Sequence, residues 1–219
     1  MDTPAGKQIP LIMSEIRTAA DKLAHIGPAV SVFGSARVSR NSPYYETTIA
    51  ISAALAEAGF AVIAGGGPGI MEAANRGATE AGAISIGFNI TLPHEQEPNA
   101  WSTPDLTFLF HYFAMRKMHL AMRAAALVVF PGGFGTLDEL FEIMTLVQTG
   151  KMGPVPIVLY DSGYWKGLLN LDQMAAAGFI RPDDLKLFSY VDSPEEAYDR
   201  IVEGAGDGWN PPKNGSVQT

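Results

Sequence analysis

Short apolar runs alternate along the chain with longer segments in which apolar residues recur at helical spacing. The apolar runs lack polar alternation, which is typical of strands buried on both faces of a parallel sheet. The predicted strands are Val30–Phe33, Phe60–Ala64, Ala83–Phe88, Leu106–Phe110, Leu127–Phe130, Val155–Tyr160 and Leu187–Val191. The predicted helices are Pro10–His25, Tyr44–Ala58, Gly69–Ala81, Tyr112–Ala125, Thr136–Thr149, Tyr164–Ala177 and Pro194–Val202.

This order of elements predicts an α/β, Rossmann-like three-layer fold in which a parallel sheet is flanked by helices. With 219 residues, of which 47% are hydrophobic, the chain can form one sizeable core but is short for two ordinary domains. We therefore predict an N-terminal helical extension over residues 1–28 and a single domain over 29–203. Residues 204–219, rich in Gly, Asn and Pro, predict a flexible tail.

The charge balance and the lack of cysteine narrow the classes of function. The formal net charge of −8 disfavours nucleic acid and acidic membranes as partners, because polyanion binding needs a surplus of Lys and Arg. Without cysteine, the chain has no disulfide, thiolate nucleophile or cysteine-ligated metal. Charged residues interrupt the N-terminal apolar positions, and no later run approaches about 18 apolar residues. We therefore expect a soluble, cytoplasmic protein whose partner is a small phosphorylated molecule.

Three glycine-rich stretches each follow a predicted strand and precede a predicted helix. They are Gly34-Ser35-Ala36-Arg37, Gly65-Gly66-Gly67-Pro68-Gly69 and Pro131-Gly132-Gly133-Phe134-Gly135-Thr136. Backbone N–H groups in such loops converge with a helix N-terminus on an anion, so they indicate phosphate binding. The alternative is that the glycines only form tight turns. Neither longer stretch has the spacing of a Walker loop or of a dinucleotide-binding loop, which disfavours ATP-driven chemistry and NAD.

Thr136 and Glu139 admit two interpretations. Their spacing is that of a capping box, in which both side chains bind backbone N–H groups at a helix start. A helical projection instead places Asp138 and Glu142 towards solvent, and Glu139 on the margin of the core face, beside the glycine loop. A carboxylate there suits contact with a sugar better than contact with a phosphate.

The predicted helix Tyr112–Ala125 is apolar on two sides, so we expect it to pack against the sheet and against a partner subunit. It also contains several basic residues. Arg116 lies near the helix start, where a ligand contact is the favoured interpretation. For Arg123 we favour a structural ion pair, or a side chain whose aliphatic part is buried and whose charged end reaches solvent. For Lys117 both this structural role and a ligand contact remain open. His119 has no metal partner at ligand spacing, so a buried or interfacial histidine is expected.

In these motifs the sequence resembles the LOG family of cytokinin riboside 5′-monophosphate phosphoribohydrolases, often labelled lysine decarboxylase-like. The likeness runs through Gly34-Ser35, Gly65–Met71, Arg116-Lys117 and Pro131–Glu139, and it extends over about residues 29–180. The added N-terminal helix and Asp138, where Glu is usual, place the chain nearer a longer bacterial branch. Pyridoxal phosphate chemistry would need a Schiff-base lysine with a partner for the ring nitrogen, and no such set is apparent.

The resemblance implies a homodimer or larger homo-oligomer that cleaves a purine nucleoside 5′-monophosphate, AMP or an N6-substituted AMP, into free base and ribose 5-phosphate. It implies Arg116 and Glu139 as the catalytic pair and needs neither metal nor cofactor. The substrate-binding residues that it implies are Gly34, Ser35, Gly66, Gly67, Met71, Glu95, Lys117, Gly132, Gly133, Gly135, Thr136 and Thr145. Two alternatives remain: a carrier of a phosphorylated ligand such as molybdenum cofactor, and a nucleotide sensor that acts through a partner.

Overall fold

A computed structural model describes residues 4–92 and 97–205. The strands are β1 (Ala29–Phe33), β2 (Ala61–Ala64), β3 (Ser85–Ile90), β4 (Thr107–Phe110), β5 (Ala124–Val129), β6 (Ile157–Tyr160) and β7 (Ser189–Val191). The helices are α1 (Pro4–Lys22), α2 (Pro43–Glu57), α3 (Ile70–Glu80), α4 (Phe113–Met122), α5 (Phe134–Gln148), α6 (Ser162–Leu168), α7 (Leu171–Ala176) and α8 (Pro194–Gly204), with a 3-10 turn at Pro182–Lys186. Each predicted strand is present in the structure.

The strands form one parallel sheet in the order β4-β3-β2-β1-β5-β6-β7. The chain builds outwards from β1 to β4, then returns to the centre and builds the other half from β5. This reversal leaves a crevice at the carboxyl ends of β1 and β5, which is where open α/β sheets bind ligands. The predicted α/β, Rossmann-like three-layer fold is confirmed.

Helices cover both faces of the sheet and enclose two apolar cores. On one face, α1, α4, α5 and α6 contribute buried residues such as Ala19, Leu120, Leu140 and Trp165. On the other face, α2, α3 and α8 contribute buried residues such as Ile51, Ile70 and Ile201. Because β1 alternates between these two cores, both of its faces are buried, as the apolar runs predicted, and only Ser31 among its residues is polar.

Short polar side chains start several of the helices. The Ser42 hydroxyl accepts from the N–H of Tyr44 at the start of α2, and the Ser193 hydroxyl accepts from the N–H of Glu196 at the start of α8. Asn170 caps α7, so the predicted helix Tyr164–Ala177 is wrong in being continuous and consists of α6 and α7.

The predicted helices at both ends of the chain differ from the observed ones. The predicted Pro10–His25 is α1, which begins at Pro4 and packs on α4 and β4 of its own subunit. The helix α8 continues to Gly204, and residues 206–219 of the predicted tail lie outside the described residues. Within residues 4–92 and 97–205, no helix is both long and apolar enough to cross a membrane.

Candidate active site

The three glycine-rich loops meet at the crevice between β1 and β5. The Ser35 N–H donates to the Pro131 carbonyl at 3.1 Å, which joins the loops after β1 and β5. The Ile70 N–H donates to the Ser35 carbonyl at 3.2 Å, which joins the loop after β2. Gly69 has a φ of 67°, and a Cβ there would lie 2.5 Å from the Ser35 carbonyl oxygen. The three loops, which are far apart in the sequence, thus form a single cluster of closely packed backbone.

Helix α5 begins at this cluster. Gly133 is its N-cap residue and Phe134 its first helical residue, so Thr136 is the third helical residue rather than the cap. No side chain caps this helix, which rules out the capping-box interpretation of Thr136 and Glu139. The first N–H groups of a helix have no intrahelical partner and carry the positive end of its dipole. A Cβ at Gly132 would collide with the Thr136 hydroxyl, so Gly132 has no room for a side chain.

Glu139 is buried rather than marginal: only 6% of the residue is exposed. Burial disfavours its charged form and raises the pKa of the carboxyl to about 7, while the charges of Arg116 and Lys117 partly offset this rise. Within the described residues no hydrogen bond holds the Glu139 carboxylate. A carboxyl group that ionises near neutral pH and is not committed to a protein donor can exchange a proton with a ligand or a water molecule.

Arg116 crosses from α4 to the carboxyl end of β3, where its Nε donates to the Phe88 carbonyl at 2.8 Å. Its guanidinium also lies over Gly65, together with the Met71 sulfur, so that a Cβ at Gly65 would meet both groups. Burial lowers the pKa of Arg116, and the charge of Glu139 acts in the opposite direction. Arg116, Met71 and the loop after β2 therefore form one side of the crevice, with Glu139 close enough to interact electrostatically.

Two asparagines that the sequence motifs do not include lie against the loop after β2, and Asn99 holds it by hydrogen bonds. The Asn99 N–H donates to the Gly66 carbonyl at 2.8 Å, and its side-chain amide donates to the Gly67 carbonyl at 3.0 Å. Gly66 has a φ of 72°, and a side chain there would collide with the amide of Asn89. Asn89 lies near the carboxyl end of β3, which is otherwise mostly apolar. A polar residue at that position was the signal in the sequence that could have identified it.

Lys117 and Thr145 lie on a different surface, an open groove of about 770 Å³ between α4 and α5, here called the α4–α5 groove. It is lined by Phe113, Ala114, Lys117, Phe134, Leu137, Asp138, Phe141, Glu142, Thr145 and Leu146. Lys117 Nζ binds Asp138 at 2.6 Å and Glu142 at 3.0 Å, so these two acids pair with a cation instead of pointing freely into solvent. The α4–α5 groove is thus lined by the sequence neighbours of Glu139 and Arg116, and neither Glu139 nor Arg116 lines it.

The remaining predicted residues divide between the core and the undescribed loop. His119 is buried and stacks on Phe110 with a ring separation of 5.4 Å, and burial lowers its pKa. Arg123 donates to the Ala20 carbonyl at 3.4 Å and so links α4 to α1. Glu95 belongs to residues 93–96, outside the described residues, and its role stays a prediction.

The sequence matches a family model described as "Possible lysine decarboxylase" over residues 71–201, which is more than half of the chain. The chain belongs to this family. Its relatives identify the family as the LOG family. A "Probable cytokinin riboside 5′-monophosphate phosphoribohydrolase" of Oryza sativa subsp. japonica is 36% identical over 90 residues, which are 40% of this chain and 42% of that protein. The cytokinin riboside 5′-monophosphate phosphoribohydrolase of Rhodococcoides fascians is 29% identical over 158 residues, which are 70% of this chain and 79% of that one.

Solved structures share the fold of this LOG-family chain. The molybdenum cofactor binding protein of Rippkaea orientalis superposes with a TM-score of 0.59 at 20% identity, covering 82% of this chain and 98% of that one. Likeness at this identity concerns the fold alone, because one fold hosts many functions.

Proposed function

We propose that this protein hydrolyses the N-glycosidic bond of a purine nucleoside 5′-monophosphate, AMP or an N6-substituted AMP of the cytokinin type, releasing free base and ribose 5-phosphate. The observation that carries the proposal is the buried Glu139 carboxyl, whose pKa is raised to about 7 one and a half turns into the helix that starts at the glycine loop. The proposal is supported by the names of the relatives, which act on nucleoside monophosphates of this kind.

The loop end of the crevice supplies the phosphate site. The unpaired N–H groups at the start of α5, the Thr136 hydroxyl and the glycine loops after β1 and β2 present donors and no carboxylate. A phosphate held there gains from the helix dipole of α5. In this proposal Gly34, Ser35, Gly66, Gly67, Gly132, Gly133, Gly135 and Thr136 surround the phosphate, and Met71 contacts the nucleoside.

Glu139 faces the ribose in this arrangement. Cleavage of an N-glycosidic bond develops positive charge on the sugar ring, and an ionised carboxylate stabilises that charge in a site that excludes water. The same carboxylate can accept a proton from the attacking water, because its raised pKa lies near the operating pH. The water adds its hydroxyl to the anomeric carbon, and the base leaves with the bonding electrons and takes up a proton.

Arg116 remains a cation under these conditions and cannot serve as the base. Its position over Gly65, beside Met71, places it to bind the phosphate or to stabilise charge on the departing base. Its charge also lowers the pKa of Glu139 and so favours the ionised form that the reaction requires. Phosphate binding remote from the reacting bond contributes energy that orients the sugar.

The α4–α5 groove supports a homo-oligomer. Phe113 is 51% exposed and Phe134 is 92% exposed on its rim, and contiguous apolar surface of this kind is usual at protein interfaces. In the proposed dimer, α4 and α5 pack against a second copy of the chain. Lys117 and Thr145 are then interface residues close to the site, and their contact with substrate depends on the assembled oligomer.

The test of this function is the appearance of free base. Purified protein is incubated with AMP, N6-isopentenyl-AMP and the other nucleoside monophosphates, and free base and ribose 5-phosphate are quantified by chromatography. The proposal expects stoichiometric release of both products from a purine nucleotide. Binding of a nucleotide without release of base would contradict it and would favour a carrier or a sensor.

A further inference from the structure

Asp161, three residues before a tyrosine that bonds the glycine loop, has an unusual backbone conformation. It follows β6 and has a φ of 72° and a ψ of 83°, in the left-handed region that favours glycine. Its N–H donates to the Val191 carbonyl at 2.9 Å, and its carbonyl accepts from the Trp165 N–H at 3.2 Å. Backbone held in such a conformation by a residue other than glycine is enriched at functional sites.

The Asp161 carboxylate joins the two faces of the sheet. Its Oδ1 accepts from the backbone N–H of Tyr164 at 3.0 Å and so caps α6. Its Oδ2 accepts from the Tyr44 hydroxyl at 2.5 Å, and this hydrogen bond raises the pKa of Tyr44 to about 12. Tyr44 packs with the core under α2, whereas Tyr164 packs with the core under α6. One carboxylate therefore links two helices across the carboxyl edge of the sheet.

Tyr164 carries this link to the glycine loop. Its hydroxyl donates to the Gly132 carbonyl at 2.7 Å. The Gly132 carbonyl and the Gly133 N–H belong to one planar trans peptide, in which the two groups point in opposite directions. Fixing the carbonyl towards Tyr164 therefore fixes the Gly133 N–H on the opposite side, away from Tyr164. Gly133 is the N-cap of α5, so this peptide sets the donors at the start of the phosphate site.

We propose that Asp161 and Tyr164 are positioning residues of the phosphate site: Asp161 orients Tyr164, and Tyr164 orients the Gly132–Gly133 peptide towards the phosphate of a nucleotide. This inference rests on the function proposed above and adds two residues that the glycine motifs do not include. Neither residue touches the sugar or the base. Their loss therefore weakens the part of the affinity that comes from the phosphate.

Three ligands separate this role from general support of the fold. AMP and inorganic phosphate both carry the phosphate group, whereas adenosine lacks it, and all three affinities are measured by calorimetry on the full chain. Tyr164→Phe removes one hydroxyl and keeps the ring against Trp165. We expect it to weaken AMP and phosphate about fivefold and to leave adenosine unchanged, in line with the loss of one hydrogen bond. Tyr160→Phe is the matched control, since its hydroxyl bonds the Asp192 carbonyl at 3.4 Å instead of the loop.

Two substitutions test the Asp161 carboxylate while tolerating its backbone conformation: one removes the side chain and the other keeps a polar side chain of the same size. Asp161→Gly accepts the φ of 72° freely but removes the carboxylate, so we expect the same selective loss of phosphate affinity as in Tyr164→Phe. Asp161→Asn keeps the Oδ1 acceptor for the Tyr164 N–H, and its NH2 group can donate to the Tyr44 oxygen, so it should restore most of that affinity. Equal losses for AMP and adenosine, or no loss in Tyr164→Phe, would overturn the inference.

The binding assay also separates this inference from the proposed activity. If the wild-type protein binds AMP but releases no base, the proposed hydrolysis fails, while the ratio of AMP to adenosine affinity in the variants still decides the role of Tyr164. If the wild-type protein binds neither AMP nor phosphate, both proposals are overturned.

Discussion

Glu139 makes the stability of the protein depend on pH. The pKa of its carboxyl is about 7 in the folded chain, against an ordinary value of 4.5. Between these values the folded protein retains a proton that the unfolded chain has released. The stability that is fully present below pH 4.5 is therefore lost as the pH rises through 7. Because the two pKa values differ by about 2.5, the loss corresponds to about 3 kcal/mol.

Glu139→Gln removes this titration while keeping the shape of the neutral side chain. The variant should match the wild type in free energy of unfolding to within about 1 kcal/mol at pH 5 and exceed it by about 3 kcal/mol at pH 8.5. Urea unfolding followed by tryptophan fluorescence at both pH values gives the two differences. Glu57→Gln, at the exposed end of α2, controls for the loss of one surface carboxylate. An equal gain at both pH values would refute burial as the cause of the raised pKa.

Three further perturbations address the neighbouring groups. Arg116→Ala removes a charge that lowers the pKa of Glu139, so it should weaken AMP binding and shift the midpoint of the pH dependence of kcat/KM to above 7. An unchanged midpoint would show that the charge of Arg116 does not set the pKa of Glu139. Gly65→Ala pushes a methyl group onto Arg116 and Met71, whose ends can move; we expect at least a tenfold loss of kcat/KM with less than about 1 kcal/mol of destabilisation. Gly167→Ala, which meets no atom within 4 Å, is its control and should keep full activity. Phe113→Glu in the α4–α5 groove should shift the protein towards monomer in light scattering, whereas the equally polar Phe179→Glu outside the groove should not.

Much of the fold follows from the apolar pattern, because a strand buried on both faces is predominantly apolar. The boundaries that differed reflect tertiary pairing. Residues 124–126 are three alanines with high helix propensity, yet Ala124 pairs with Ala29 of β1, so α4 ends at Met122. Pairing with the neighbouring strand β1 outweighs the helix propensity of this segment, and that neighbour is not apparent from the local sequence.

Only some of the residues of the candidate site could be predicted from the sequence. Glycines after strands identified the loops that meet at the crevice, because few other residues allow backbone to approach so closely. The burial of Glu139 was underestimated because a projection of one helix does not show what packs against it, here Arg116 and Lys117 of α4. The ion pairs of Lys117 depend on α4 packing beside α5, a contact between segments that are distant in sequence. Asp161 did carry a signal, since an acid three residues before Tyr164 follows an apolar run as an N-cap does.

Glu139 acts on the substrate itself in the proposed reaction, and a comparison of turnover and affinity tests this directly. Wild-type protein and Glu139→Gln are assayed for release of adenine from AMP, and their AMP affinities are measured by calorimetry under the same conditions. We predict that the variant loses at least about a hundredfold in kcat and binds AMP within a few-fold of the wild type. Wild-type turnover in Glu139→Gln would contradict the account.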